Sequence, residues 1–184
     1  VVPVHNELDN LKPLVAAIET ALGSVSWELL LVDDGSTDGS DALIRELHAA
    51  DPRIRGVFFG KNQGQTAAIS AGIREATAPL TATMDADLQN DPSDLPAMLD
   101  ALGDNDAVVG WRRKRQDNLV RRWSSRIANA IRNKLSRDSI RDTGCSLKVF
   151  RAEAIRRVPL FEGMHRFFPT LLRYHGYSVA EHPV

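Results

Sequence analysis

The chain has 184 residues, of which 43% are hydrophobic and 26% charged, with a formal net charge of −1. This is the size and composition of one globular domain with a full core. It excludes an internal disulfide, because Cys145 is the only cysteine, and a lone thiol fits a reducing compartment. No apolar run reaches the roughly 18 residues of a membrane span, and the first residues have no signal-peptide pattern. Val1 at the front and the strand-like Ser178 to Val184 at the end read as cuts from a longer chain. One domain over 1–184 is therefore expected, with membrane segments beyond Val184 left open.

The small net charge hides an asymmetry. From Val1 to Gly110 there are eighteen Asp and Glu against six Lys and Arg, whereas from Trp111 to Arg141 there are eleven Lys and Arg against two Asp. Phosphates clamped between a metal held by the first part and guanidinium groups of the second would use both charges. A basic run is also a solvated helix face in many proteins. Nucleic acid is a further partner of such runs, but no recognised RNA or DNA motif accompanies this one.

In chain order, Val1 to Val4 reads as the end of a buried strand, and Leu11, Leu14, Val15, Ile18 and Leu22 mark a helix. Trp27 to Val32 is the second strand. It ends in Asp33, Asp34, Gly35, Ser36, Thr37, Asp38, where Ser36 or Thr37 is expected to cap a helix running to about Ala50. Ile54 to Phe59 is a third strand, followed by the turn Gly60 to Gly64 and a helix from Gln65 to Ala76. The fourth strand, Leu80 to Met84, delivers Asp85, Ala86, Asp87, Leu88, Gln89. Asp91 and Pro92 suit the N-cap and first residue of a helix to about Leu102, and Ala107 to Gly110 is a fifth strand.

Leu119, Trp123, Ile127, Ile131 and Leu135 then recur every four residues among Arg121, Arg122, Arg126, Arg132 and Lys134. This predicts an amphipathic basic helix, packed on the sheet or lying near an anionic lipid surface or a phosphate. Leu147 to Phe150 is strand-like, and helices follow at Ala152 to Val158 and Phe167 to Tyr174, the last with Gly176 in its C-cap region. Strands alternating with helices predict a parallel sheet covered on both faces, with ligands bound beyond the strands' carboxyl ends. The acidic clusters fall at such ends. Two carboxylates one residue apart after an apolar strand suit a hard cation, Mg²⁺ or Mn²⁺, whose open positions substrate phosphates fill. Continued alternation would put Asp85, Asp87 and Gln89 on one side, with Leu88 facing away.

Four stretches together resemble family 2 glycosyltransferases of the GT-A fold: Pro3 to Glu7, Val32 to Asp38, Asp85 to Gln89, and Asp142 to Lys148. The last two look most like the polyprenyl-phosphate (dolichyl-phosphate) mannosyltransferase and glucosyltransferase branch. The resemblance covers essentially the whole chain and implies an α/β, Rossmann-like nucleotide-diphospho-sugar transferase fold, with a mostly parallel central sheet flanked by helices. It implies that Pro3, Val4, His5, Glu7, Val32, Asp34, Asp85 and Ala86 bind the nucleotide sugar and that Asp87 and Gln89 ligate Mg²⁺ or Mn²⁺. The family usually has an aromatic residue where His5 stands, which leaves the base open. Asp33 caps its turn or joins Asp34 at the nucleotide, and Asn62 and Gln63 meet the donor sugar or only form the turn.

By position in the family pattern, Asp87, Arg112, Arg126 and Arg166 are the catalytic candidates. Arg115 is a substitute for Arg112, and Asp142 is a candidate to orient one of the arginines. Cys145 reads as a buried thiol. The implied reaction moves a hexose, from GDP-mannose in preference to UDP-glucose, to a polyprenyl phosphate with inversion. A phosphate monoester is already largely anionic at pH 7, so the acceptor needs cations more than a general base. The implied partners are the nucleotide sugar, the lipid phosphate and a membrane surface, with no nucleic acid. The implied location is the cytoplasmic side of a membrane, peripheral or anchored through segments outside this chain. Two alternatives remain: transfer to a saccharide hydroxyl, and a non-catalytic nucleotide-sugar module. Against the first, Leu119 stands where processive relatives carry the Gln of a Gln, x, x, Arg, Trp motif; against the second, every candidate metal ligand is present.

Overall fold

The structure is a computed structural model that describes residues 1–23, 25–113, 140–159 and 162–184. Strand β1 (Val2–Val4), helix α1 (Leu8–Ala21), β2 (Leu29–Asp33), α2 (Ser40–Ala50), β3 (Ile54–Phe58), α3 (Gln65–Glu75) and β4 (Leu80–Thr83) form the first half. They are followed by a 3-10 turn (Pro92–Asp94) running into α4 (Leu95–Leu102), then β5 (Ala107–Trp111), β6 (Lys148–Arg151), α5 (Ala152–Arg157), a 3-10 turn (Met164–Phe167), α6 (Phe168–Tyr174) and β7 (Val179–Pro183). The basic segment with Arg115, Arg121, Arg122 and Arg126 lies outside the described residues, as does the predicted helix Leu119 to Leu135.

Strands β1, β2 and β3 pair in parallel in the order β1-β2-β3, and the others in the order β4-β6-β5-β7. The two groups are joined at Val1. Its nitrogen donates to the Ala82 carbonyl at 2.8 Å and its carbonyl accepts from Met84 N at 3.3 Å, the slanted pattern of parallel neighbours. One mainly parallel sheet results, with β3 and β7 at its edges. The exception is β6, antiparallel to both β4 and β5. Strand–helix alternation by itself predicts a parallel sheet, and the mostly parallel sheet that the resemblance implies accommodates this one reversed strand. The reversal follows from the connection of residues 112–147, which leaves β5 at its carboxyl end and re-enters the sheet from that same end.

Both faces are covered, as the apolar runs predict. All five residues of β2 are buried. Neighbouring residues of one strand serve opposite cores: Val108 and Val149 join Leu11, Leu14, Ile44 and Met98, whereas Ala107 and Phe150 join Ile73, Ile155, Phe168 and Leu172. Phe150 and Phe168 meet edge to face at 5.7 Å between centroids. An apolar hollow of about 200 Å³, lined by Val1, Trp27, Leu30, Leu80 and Leu99 among others, lies at the amino ends of β2 and β4, away from the carboxylate clusters.

Two helix starts differ in an informative way. Asp91 caps its turn as predicted, accepting from Ser93 N at 2.9 Å with Pro92 next. Helix α2 instead begins at Ser40 behind Gly39, and neither Ser36 nor Thr37 caps it. Those residues bond the turn after β1. Strand β2 begins two residues later than predicted, because Trp27 lies under the Arg53 guanidinium at 4.0 Å rather than in the ladder.

Just before β2, Glu28 ties three segments together. It accepts from Thr77 N at 2.5 Å, Thr77 Oγ1 at 2.7 Å, Ala78 N at 2.9 Å and Arg55 at 2.9 Å. Desolvation raises its carboxyl pKa, but these donors outweigh it and lower the pKa to about 2 from 4.5. A depressed carboxyl pKa gives stability that is present above the unfolded value and is lost as pH falls toward the folded one. Chemical unfolding should therefore show Glu28→Gln less stable than wild type by about 1–2 kcal/mol at pH 7, after allowance for solvent screening. The difference should shrink between about pH 4.5 and 2.

Candidate functional site

The carboxyl ends of β1, β2 and β4 open onto one polar cleft of about 360 Å³. Pro3, Val4, His5 and Glu7 line it from the first turn, Asp34 from the second, Asn62, Gly64 and Gln65 from the third, and Asp85, Ala86 and Asp87 from the fourth. Seven of the eight residues expected at the nucleotide sugar are thus brought together. The eighth, Val32, is fully buried in β2 and does not line the cleft, because alternation turns its side chain into the core.

The walls are bound to one another by side chains. Asn6, at φ 59°, accepts from Thr37 N at 2.8 Å, and its own backbone N donates to Ser36 Oγ at 2.9 Å. Glu7 N donates to Ser40 Oγ at 3.1 Å and Leu8 N to Asp38 Oδ2 at 3.1 Å, so Asp38 serves the first turn of α1 as well as Ser40. Asp34, only 3% exposed, accepts from Gln63 N at 2.6 Å and Gly64 N at 2.9 Å, one loop amide to each oxygen. The loop sits so close to Gly35 that a Cβ there would lie 2.5 Å from the Lys61 carbonyl carbon, and Gly35 has φ +70°. His5 Nδ1 lies 3.0 Å from the Asp34 carbonyl. A carbonyl only accepts, so Nδ1 carries a proton in this contact.

Asp85 and Asp87 differ in setting. Asp85 receives a hydrogen bond from Gln65 Nε2 at 2.7 Å. Burial pushes its carboxyl pKa up and Asp87 adds to this, while Ser146, Lys148 and Gln65 work against it. Asp87 is half-buried and accepts from Gln89 N at 3.1 Å. The alternation expected through Gln89 is not kept. β4 ends at Thr83 and Leu88 takes φ 59°, a left-handed conformation that reverses the chain and leaves Leu88 and Gln89 exposed, with Gln89 outside the cleft lining.

No group of three His, Cys, Asp or Glu forms a metal-binding cluster among the described residues. The donor set nevertheless fits Mg²⁺ or Mn²⁺, which take one or two carboxylates and complete their shell with water and substrate phosphates. Asp87 is a cleft-lining carboxylate that could hold such an ion.

Of the catalytic arginine candidates, Arg112 directly follows β5 and is held by Asp142, with Nε to Oδ2 at 2.9 Å and Nη2 to Oδ1 at 3.3 Å. This is the orienting pair expected of Asp142. Arg166 lies exposed on the 3-10 turn Met164–Phe167 and outside the cleft lining, and Arg126 lies outside the described residues. Cys145 is a buried free thiol, as expected.

Three residues given no role from sequence stand beside the predicted ones. Gln65 orients Asp85. His165 Nδ1 lies 2.7 Å from Thr66 Oγ1 in a hollow that shares Gly64 and Gln65 with the cleft. Burial, helped by Arg166 and Lys148, lowers its pKa to about 4. Lys148 is 3% exposed beneath the cleft. Its signal was a lysine inside an apolar strand, where a charge must have partners.

The profile of the family described as "Glycosyl transferase family 2" matches residues 1–159. The chain belongs to this family. Among curated family 2 relatives, it is 44% identical to the dodecaprenyl-phosphate galacturonate synthase of Rhizobium johnstonii, over 92% of this chain and 52% of the relative. It is 35% identical to the undecaprenyl-phosphate 4-deoxy-4-formamido-L-arabinose transferase of Salmonella choleraesuis, over 100% of this chain and 58% of that protein. The chain thus spans about half the length of these relatives.

Solved structures share the GT-A fold. A mannosyltransferase from Pyrobaculum calidifontis, in complex with GDP-Man and Mn²⁺, superposes with a TM-score of 0.73 at 21% identity, over 99% of this chain and 53% of that one. Glucosyl-3-phosphoglycerate synthase from Mycobacterium tuberculosis, in complex with Mn²⁺ and UDP-glucose, gives 0.71 at 15% identity, over 99% and 67%.

The closure at Gly35 makes the loop contact sensitive to a single methyl group. Gly35→Ala should cost about 2–4 kcal/mol in chemical unfolding, from left-handed strain together with overpacking against backbone. Asp34→Asn should leave the fold in place but speed amide exchange at Gln63 and Gly64 by on the order of tenfold, as a charge-assisted acceptor is lost. Hydrogen-exchange mass spectrometry on the loop peptide checks this.

Proposed function

We propose that this domain transfers a glycosyl group from a nucleotide sugar to a polyprenyl phosphate with inversion and with a divalent cation. The observation that carries the reading is the single cleft joining Pro3, Val4, His5, Glu7, Asp34, Asp85 and Asp87 at the strand ends. The names of the two relatives supply the polyprenyl phosphate and the sugar joined to it; a nucleotide-activated donor is taken from the family resemblance. An acceptor phosphate oxygen bonds to the anomeric carbon as the bond from that carbon to the diphosphate breaks, and the nucleoside diphosphate leaves with the electron pair.

In this reading His5, Glu7 and Asp34 border the base and ribose, and Asp85, held by Gln65, borders the ribose or sugar. Asp87 holds the Mg²⁺ or Mn²⁺, with Gln89 kept as a ligand on the family resemblance alone. When bound, the cation would offset negative charge on the departing diphosphate. Arg112, fixed by Asp142, positions anionic oxygen between donor and acceptor, and Arg126 and Arg166 are assigned to the same task by resemblance. No base is needed for an acceptor that is already anionic.

The donor is revised. GDP-mannose, which would make this a dolichyl-phosphate mannosyltransferase-like enzyme, rests on the family resemblance, and the neighbour in complex with GDP-Man shares the fold alone. The more similar relatives are named for galacturonate and formamido-arabinose. We therefore place an acidic or amino-modified sugar ahead of mannose or glucose. No helix among the described residues is long and apolar enough to cross a membrane. Contact with the cytoplasmic face of a bilayer is assigned to the basic segment around Arg121 and Arg122 or to segments outside this chain.

The test incubates the full-length protein with Mn²⁺, polyprenyl phosphate and each labelled nucleotide sugar, and follows label into the organic phase. We expect lipid-linked label, strongest with a uronic or amino-modified sugar, and a loss of more than about a hundredfold in Asp87→Ala. Label on a saccharide acceptor with none on lipid would overturn the acceptor, and turnover in chelated, metal-free buffer would overturn the cation.

A further inference from the structure

The turn Asp85 to Gln89 brings Asp85 and Asp87 to the cleft, and it is flanked by Thr83 at the end of β4 and by Asn90. Both flanking residues are bonded to Ser146. Thr83 Oγ1 donates to the Ser146 carbonyl at 3.0 Å, and Ser146 Oγ donates to the side-chain oxygen of Asn90. The Asn90 amide nitrogen turns to the neighbouring Cys145 Sγ at 3.8 Å. Ser146 thus closes the turn at its base, from a segment fifty-six residues beyond Asn90. Inside the closed turn Leu88 holds φ 59°, a conformation that a leucine keeps only where its surroundings impose it.

The segment that carries Ser146 is fixed on its other side too. Gly110 N donates to the Leu147 carbonyl at 3.0 Å, and a Cβ at Gly110 would lie 2.9 Å from Cys145 Sγ, so β5 packs closely against it. Just before Cys145, Gly144 N donates to Asp142 Oδ1 at 3.1 Å, and Asp142 holds Arg112. The short stretch Asp142 to Ser146 therefore carries the anchor of the arginine at one end and the anchor of the acidic turn at the other. We propose that Ser146, acting through Asn90, is a positioning residue that sets the turn bearing Asp85 and Asp87 against the Arg112–Asp142 pair. In the glycosyl-transfer reading, Asp87 serves the departing diphosphate and Arg112 the anionic oxygen between donor and acceptor. A displacement of about 1 Å between them slows the chemical step, while the first three turns of the cleft keep their own bonds.

The effect on rate rests on the glycosyl-transfer reading; the effect on the turn does not. Ser146→Ala removes the hydroxyl, Asn90→Ala removes its acceptor, and Ser146→Thr keeps a hydroxyl on the same carbon. The full-length variants are assayed for transfer, and amide exchange across residues 84–91 is followed by mass spectrometry. Expected in Ser146→Ala is a fall in kcat of about tenfold with donor KM within about threefold, and faster exchange across the turn. Ser146→Thr should recover both. The double variant of Ser146→Ala with Asn90→Ala should be no slower than the slower single variant, because the two side chains form one bond. Losses that multiply in the double variant, a raised donor KM at unchanged kcat, or Ser146→Thr as slow as Ser146→Ala overturns the proposal. So does unchanged exchange across the turn, or failure of both alanine variants to fold. Wild-type protein inactive with every donor would count against the proposed function, and exchange in Ser146→Ala and Ser146→Thr would then decide the role of Ser146.

Discussion

The cleft depends on one carboxylate that is spent mostly on the protein itself. Asp34 holds the amides of Gln63 and Gly64, and the absent side chain of Gly35 lets that loop close on the turn after β2. Asn6, Ser36, Thr37, Asp38 and Ser40 bind the first two turns together in the same way. Three strand-end loops therefore form one wall rather than three independent segments. Preorganisation of this kind leaves little loop entropy to be lost when a ligand enters.

The second constraint is electrical. The cleft wall supplies carboxylates, which would be poor company for the diphosphate of the proposed donor unless cations intervene. Asp87 lines the cleft and Arg112 is held by Asp142, so in the proposed reaction charges of both signs would be set before a phosphate arrived. Arg112 pairs with Asp142, and the buried Lys148 ammonium donates to the Cys145 carbonyl. That pairing is what makes ionised groups tolerable beneath a sheet.

Much of this was legible in the sequence because apolar runs ending in carboxylates mark strand ends, and strand ends are where such sheets bind ligands. The clusters at Pro3 to Glu7, Asp34 and Asp85 to Asp87 were found this way. What escaped depended on contacts between distant segments. Ser36 and Thr37 have the chemistry of helix caps, but a turn thirty residues earlier takes them. Leu88 breaks the strand alternation with a backbone angle that sequence rules assign to glycine or asparagine, which is why Gln89 was placed beside Asp87. Val32 adjoins the carboxylates of its motif in sequence, but its own side chain belongs to the core. Gln65 and His165 gain meaning only through partners twenty and ninety-nine residues away.

The reversed direction of β6 has a consequence for how such a site can diversify. A parallel strand brings the chain to the cleft as it leaves the sheet, but an antiparallel one brings it there as it enters. The whole connection from β5 to β6 thus begins and ends on the ligand side, anchored by Trp111 at one end and Lys148 at the other. A change in it acts on the ligand side, where its described end already places Asp142 against Arg112. A fold organised in this way can keep one means of holding an activated sugar while varying the chemistry of the molecule that receives it.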